Sequence, residues 1–178
     1  MSKDVGEKFR AFAMTHNYAR RINAAETHWY FIEGAQAFHH GLYLASSLSF
    51  LNGIESSIRT LLMYIDQGFE NDDLEGPTLS NRLLRDAKRI GLNVEILAFD
   101  DEPDFLTKIQ SNKPNVKIVQ TRHNLCHGNV FEYIEEIPDT NDRILTPNSL
   151  YPLASKLRDL GEAWSQEIER FKGDWAGD

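Results

Sequence analysis

Residues 42–65, LYLASSLSFLNGIESSIRTLLMYI, decide the fold class. Leu51, Ile54, Ile58, Leu61, Leu62 and Ile65 recur at spacings of three and four. That is the period of a helix with one buried stripe, so the stretch from about Leu42 to Ile65 predicts a core helix. Upstream, a helix over about Ala25 to His40 puts Trp29, Ile32, Gln36 and His40 near one side and Phe31 and Phe38 elsewhere, with Gly41 as a break or kink. Earlier still, Lys3 to Ile22 mixes Phe9, Phe12, Ala13 and Met14 with basic residues and reads as a peripheral helix.

Downstream, 68–77 reads as a loop and Leu79 to Gly91 as a shorter amphipathic helix stopped by glycine. The acidic run Asp100-Asp101-Glu102-Pro103-Asp104 reads as the solvated start of another short helix ending near Ser111. A further helix is expected through Val116, Ile118 and Val119 to Cys126 or His127, capped by Asn112 or Asn115 and closed by a left-handed Gly128. Val130 to Ile137 reads as extended and Pro138 to Ser149 as a loop. The last helix, about Leu150 to Phe171, aligns Leu153, Leu157, Leu160, Trp164, Ile168 and Phe171 on one stripe. An all-α, single-domain helical bundle follows.

Composition narrows the function. The chain has 178 residues, enough for one domain with a hydrophobic core, and carries a net charge of −8. Phosphate is repelled by most of such a surface, so broad coating of nucleic acid is not expected and any contact must be local. Cys126 is the single cysteine and forms no internal disulfide. The first residues, Met1 to Lys8, lack the apolar core of a signal peptide, and no apolar run approaches the roughly 18 residues of a membrane span. A cytoplasmic chain without membrane partners is expected.

One window breaks the acidic pattern. Phe105 to Phe131 contains Lys108, Lys113, Lys117 and Arg122, and all 27 acidic residues lie outside it. Within it runs Thr121-Arg122-His123-Asn124-Leu125-Cys126-His127-Gly128-Asn129. Arginine offers a permanent charge and a planar donor fork for phosphate, and histidine moves protons near neutral pH, a combination suited to phosphodiester chemistry.

At about 100° per residue, Ile118, Val119, Arg122, Leu125 and Cys126 share one side of this helix, so Arg122 lies in an apolar face and needs a partner. Glu55, at the margin of the 42–65 stripe, is the candidate. Such a pair could also do no more than fix two helices. His123 and His127 are one turn apart with Asn124 beside them, and His127 falls in the last turn, where the helix dipole favours a cation. His127 could equally bond the last carbonyls of its own helix. Zinc binding by the His123 and His127 pair lacks a third ligand, and Asn124 stands where the metalloprotease pattern needs Glu, so no metal or cofactor is expected. A Cys126–His127 dyad fails because adjacent helical side chains diverge. His39 and His40 diverge likewise, and a surface role suits them.

A late helix with Arg122-His123-Asn124-Leu125-Cys126-His127-Gly128, preceded by a long helix carrying Gly53-Ile54-Glu55, resembles the HEPN superfamily, the higher-eukaryote and prokaryote nucleotide-binding domains. The resemblance covers about Glu26 to Phe171, leaving the segment 3–22 outside the core. It implies a homodimer in which two motif helices meet, and a metal-independent endoribonuclease of toxin–antitoxin, abortive-infection or antiviral systems, with an antitoxin or defence-system protein as possible partner. Carried over by position, Arg122 and His127 become catalytic, with His123 and Asn124 as polar support; Glu55 joins the supporting residues as the expected partner of Arg122, and Lys113 and Lys117 of the basic window are the expected RNA contacts. A subfamily regulated by nucleotidyl transfer needs tyrosine two positions after the histidine; here that position is Asn129, which departs from the pattern. Other members are non-catalytic and bind nucleotide or a partner protein, the alternative for this chain.

Overall fold

A computed structural model of the chain describes residues 13, 16–66, 78–137 and 142–175, the side chains of Glu26 and Asp66 excepted. Helix α1 spans 16–22, α2 Ala25–His39, α3 Tyr43–Asp66, α4 Asn81–Arg89, α5 Phe105–Lys108, α6 Lys117–Cys126 and α7 Tyr151–Trp175. Short 3-10 turns sit at Val94–Leu97, Phe131–Tyr133 and Pro147–Leu150. Strands β1 (Glu135–Glu136) and β2 (Arg143–Ile144) pair antiparallel, Glu135 opposite Ile144. None of the described helices is long and apolar enough to cross a membrane.

α3 is the axis of the bundle, packed along α2 and α7, with α4 and α6 also resting on it. Its stripe is buried as the three-and-four spacing requires: Leu51, Ile54, Ile58, Leu61 and Leu62 are in the core and Ile65 at its edge. The whole α7 stripe from Leu153 to Phe171 is likewise buried, and Trp164 Nε1 donates to Ser57 Oγ at 2.7 Å, which satisfies the indole inside the core. Phe31 of α2 meets Phe50 of α3 edge-on, ring centroids 6.3 Å apart.

Glycine admits these rings. A Cβ at Gly161 would lie 2.6 Å from Phe50 Cδ1, and one at Gly53 2.7 Å from Phe31 Cε2, closer than unbonded carbons approach. Alanine in a helix interior gains up to about 1 kcal/mol over glycine, whereas overpacking costs about 1–3 kcal/mol, so at this distance the clash wins. Gly161→Ala is therefore expected to lower the urea midpoint at constant m value, by about 1–2 kcal/mol of stability. An unchanged midpoint would mean that the Phe50 ring gives way freely.

Two expectations are corrected. The described part of the first segment is not peripheral: Tyr18 and Ile22, one turn apart, are fully buried, and Arg21 pairs with Glu162 and Glu169 of α7, so the core begins before Glu26. The rest of 3–22, apart from Ala13, lies outside the described residues. On α2, whose buried side the sequence left open, Phe31 and Ile32 are buried and Trp29 is exposed; α3 and α7 pack against the helix and Tyr18 of α1 stacks on Phe31. The stretch Val130 to Ile137 holds a 3-10 turn and only two strand residues, whose partner β2 falls within the segment read as loop. The remaining loop expectation, 68–77, lies outside the described residues.

Candidate functional site

The motif helix α6 starts at Lys117, and its cap comes from elsewhere in the chain. Val116 occupies the N-cap and offers no side-chain acceptor, while the Lys117 amide donates to both carboxylate oxygens of Glu102, at 3.0 and 3.2 Å. The Glu102 side chain is fully enclosed, with Lys108 Nζ 3.2 Å away. Neither Asn112 nor Asn115 caps α6; Asn112 Oδ1 accepts from Arg85 instead. Glu102 also overturns its own expected solvation: a carboxylate satisfies an unpaired helix-start amide with a full negative charge where the helix dipole is positive, and that rewards burying it.

Asn81 completes the mount. Its buried amide Nδ2 donates to the carbonyls of Lys108, Ser111 and Pro114 at 2.9–3.1 Å, and its Oδ1 accepts from Val116 N at 3.1 Å. The turn leading into α6 is thus tied to the first turn of α4.

On α6, Ile118, Val119, Thr121 and Leu125 are buried and Arg122 lies among them. Cys126, expected on this face, is the last residue of the helix and is exposed. Arg122 Nε donates to Glu55 Oε2 at 3.1 Å, the partner read from the helix faces. The Glu55 side chain is 7% exposed and that of Arg122 20%. Glu55 has two further partners that the sequence reading did not supply: Leu79 N donates to Oε2 at 2.8 Å, and Arg59 Nη1 lies 3.4 Å from Oε1. Arg59, one helical turn after Glu55, was legible as an i, i+4 pair; the Leu79 amide had no signal in sequence. Only Nε of Arg122 is engaged among the described residues, so the outer edge of its guanidinium remains available.

Past Arg122 the helix turns polar. His123 and His127 are exposed, with ring centroids 4.4 Å apart. Asn124 Oδ1 accepts from Asn129 Nδ2 at 3.4 Å, and Asn129 N donates to Asn124 O at 2.8 Å. His127 caps the helix through its amide, bonded to His123 O at 3.1 Å, and Gly128 follows at φ +71°, the left-handed stop. Among the described residues the His127 imidazole makes no hydrogen bond to its own helix end, and its ring lies against that of His123.

The basic window is less free than its composition implies. Lys108 is paired with Glu102 and Asp104, and Lys117 with Asp101, whose carboxyl the ammonium holds below the usual carboxylate range. Lys113 is exposed at the turn before α6. His39 and His40 sit together on the surface, 5.3 Å between centroids. Among the described residues no three His, Cys, Asp or Glu side chains are grouped to hold a metal ion. An apolar groove of about 310 Å³, lined by Ile22, Leu61, Tyr64, Phe171 and Trp175 among others, includes no motif residue. The chain matches no protein-family model, no curated protein and no solved structure.

Proposed function

We propose that the protein is a homodimeric, metal-independent endoribonuclease of the HEPN type. One observation carries this reading: Arg122 is seated on Glu55 through Nε alone, and the exposed His123 and His127 pair follows on the same rigid helix. Oriented guanidinium and accessible imidazole are the two groups that phosphodiester transfer needs.

In the proposed reaction, His127 of one protomer takes the proton of a ribose 2′-OH. The 2′ oxygen attacks the adjacent phosphorus in line, and the P–O5′ bond breaks. The partner's His127, protonated, gives its proton to the leaving 5′ oxygen, so the chain ends as a 2′,3′-cyclic phosphate and a 5′-OH. Arg122 stabilises the charge that gathers on the phosphoryl oxygens. A single copy supplies one such imidazole, whereas a two-fold axis supplies both acid and base. Lys113 contacts the RNA backbone nearby. Lys117 joins it by exchanging Asp101 for phosphate, an inexpensive exchange because an exposed ion pair contributes only about 0–1 kcal/mol.

The test is cleavage in excess EDTA of an RNA and of the DNA with the same sequence. RNA is cut and DNA survives, since it lacks the 2′-OH. Products carry 2′,3′-cyclic phosphate and 5′-OH ends. A well-folded dimer that cuts no RNA would overturn the reading and favour a non-catalytic module, in which the Arg122–Glu55 pair serves only to join α6 to α3.

A further inference from the structure

We infer that Arg59 is the second arm of a phosphate clamp: Arg59 and Arg122, held on opposite oxygens of the single Glu55 carboxylate, together bind one phosphodiester of single-stranded RNA. Only the polymer named here rests on the ribonuclease reading. The clamp itself rests on charge and geometry.

Glu55 and Arg59 are one turn apart on α3, and Arg122 reaches the same carboxylate from α6. Arg59 addresses Oε1 and Arg122 addresses Oε2, while the Leu79 amide adds a third donor. Both guanidiniums are permanently charged, so one negative charge faces two positive ones. Other arginine clusters among the described residues carry no such surplus: Arg20 and Arg21 share Glu162 and Glu169, two charges against two, and Arg170 faces two carboxylates, Glu167 and Asp174. The Glu55 cluster alone of these is left with a surplus of positive charge.

That surplus is reachable. The side chain of Glu55 is 7% exposed, but those of Arg59 and Arg122 are 34% and 20% exposed. The carboxylate thus forms the floor and the two guanidiniums the rim. Arg122 spends Nε on the floor and Arg59 spends Nη1, which leaves both planar forks with N–H donors unused among the described residues. Two forks held by a shared anion are preorganised for a tetrahedral phosphate oxyanion, whose charge offsets the surplus. Arg59 is thereby a phosphate-binding residue that the Arg122 to His127 motif does not contain.

The test uses a fluorescent single-stranded 2′-O-methyl RNA, which binds but lacks the nucleophile, titrated by anisotropy against wild type, Arg59→Gln and Arg59→Lys over a range of salt. Arg59→Gln is expected to bind about tenfold more weakly and to lower the slope of log K against log salt by about 0.7, the signature of one lost single-strand phosphate contact. Arg59→Lys keeps the slope, because it keeps the charge, but binds several-fold more weakly for want of the fork. A merely structural i, i+4 pair would move the urea midpoint and not the salt slope. Wild-type affinity and slope in a folded Arg59→Gln variant would overturn the clamp, as would wild-type affinity in Arg59→Lys or no RNA binding by wild type. Weakened binding by Arg59→Gln in a protein that never cuts RNA would refute the nuclease and keep the clamp. Unchanged binding in one that does cut would do the reverse.

Discussion

Removal of the His127 imidazole is expected to slow RNA cleavage by about 10²–10⁴, the scale for losing a general acid or base. Stability should hardly change. The ring is exposed and touches His123, and the bond that closes the helix runs from the His127 amide, which alanine retains. A surface substitution of this kind stays within about 0.5 kcal/mol. His123→Ala should reduce the rate far less, because in the proposed reaction His123 only supports its neighbour. If both variants lost activity equally and chelation abolished the wild-type rate, the two histidines would be zinc ligands instead. Full activity in His127→Ala would remove the assignment altogether.

Glu55→Ala is expected to destabilise the fold by about 2–4 kcal/mol, read from the urea midpoint. Losing the carboxylate strands the Leu79 amide, whose bond is buried, and leaves Arg122 and Arg59 facing each other with no anion between them. A fully enclosed ion pair would lose about 3–5 kcal/mol on such a truncation, but the partial exposure of both arginines lets water recover part of the cost. A change within about 0.5 kcal/mol would show that the pair holds nothing in place.

What the sequence made legible follows from period and reach. The α3 and α7 stripes could be read because each helix buries one face along most of its length, so Ile54, Ile58, Leu157 and Trp164 announce themselves at helical spacing. Arg122 and Glu55 could be paired because Arg122 stood out as a charge on an apolar face and Glu55 as a carboxylate at the margin of another. Gly128 could be read as a stop because only a left-handed residue suits that place. Glu102 could not, since its role depends on where α5 lies against α6, and no local pattern separates it from the exposed Asp101 beside it. Cys126 shows the same limit from the other side: its angular position is apolar, yet it ends the helix beyond the packed part of the face. Burial of Tyr18 and Ile22 required knowing that α7 returns to meet α1. Pairings between distant segments were legible only where a charge demanded a partner.

The central claim is that Arg122 and His127 together cut RNA without a metal. The most direct measurement is the rate at which the purified wild-type protein cleaves an end-labelled, mixed-sequence RNA in excess EDTA, beside the Arg122→Ala, His127→Ala double variant confirmed as folded. Cleavage by wild type alone is the predicted result. Equal rates for the two proteins, or an intact RNA with both, would contradict it.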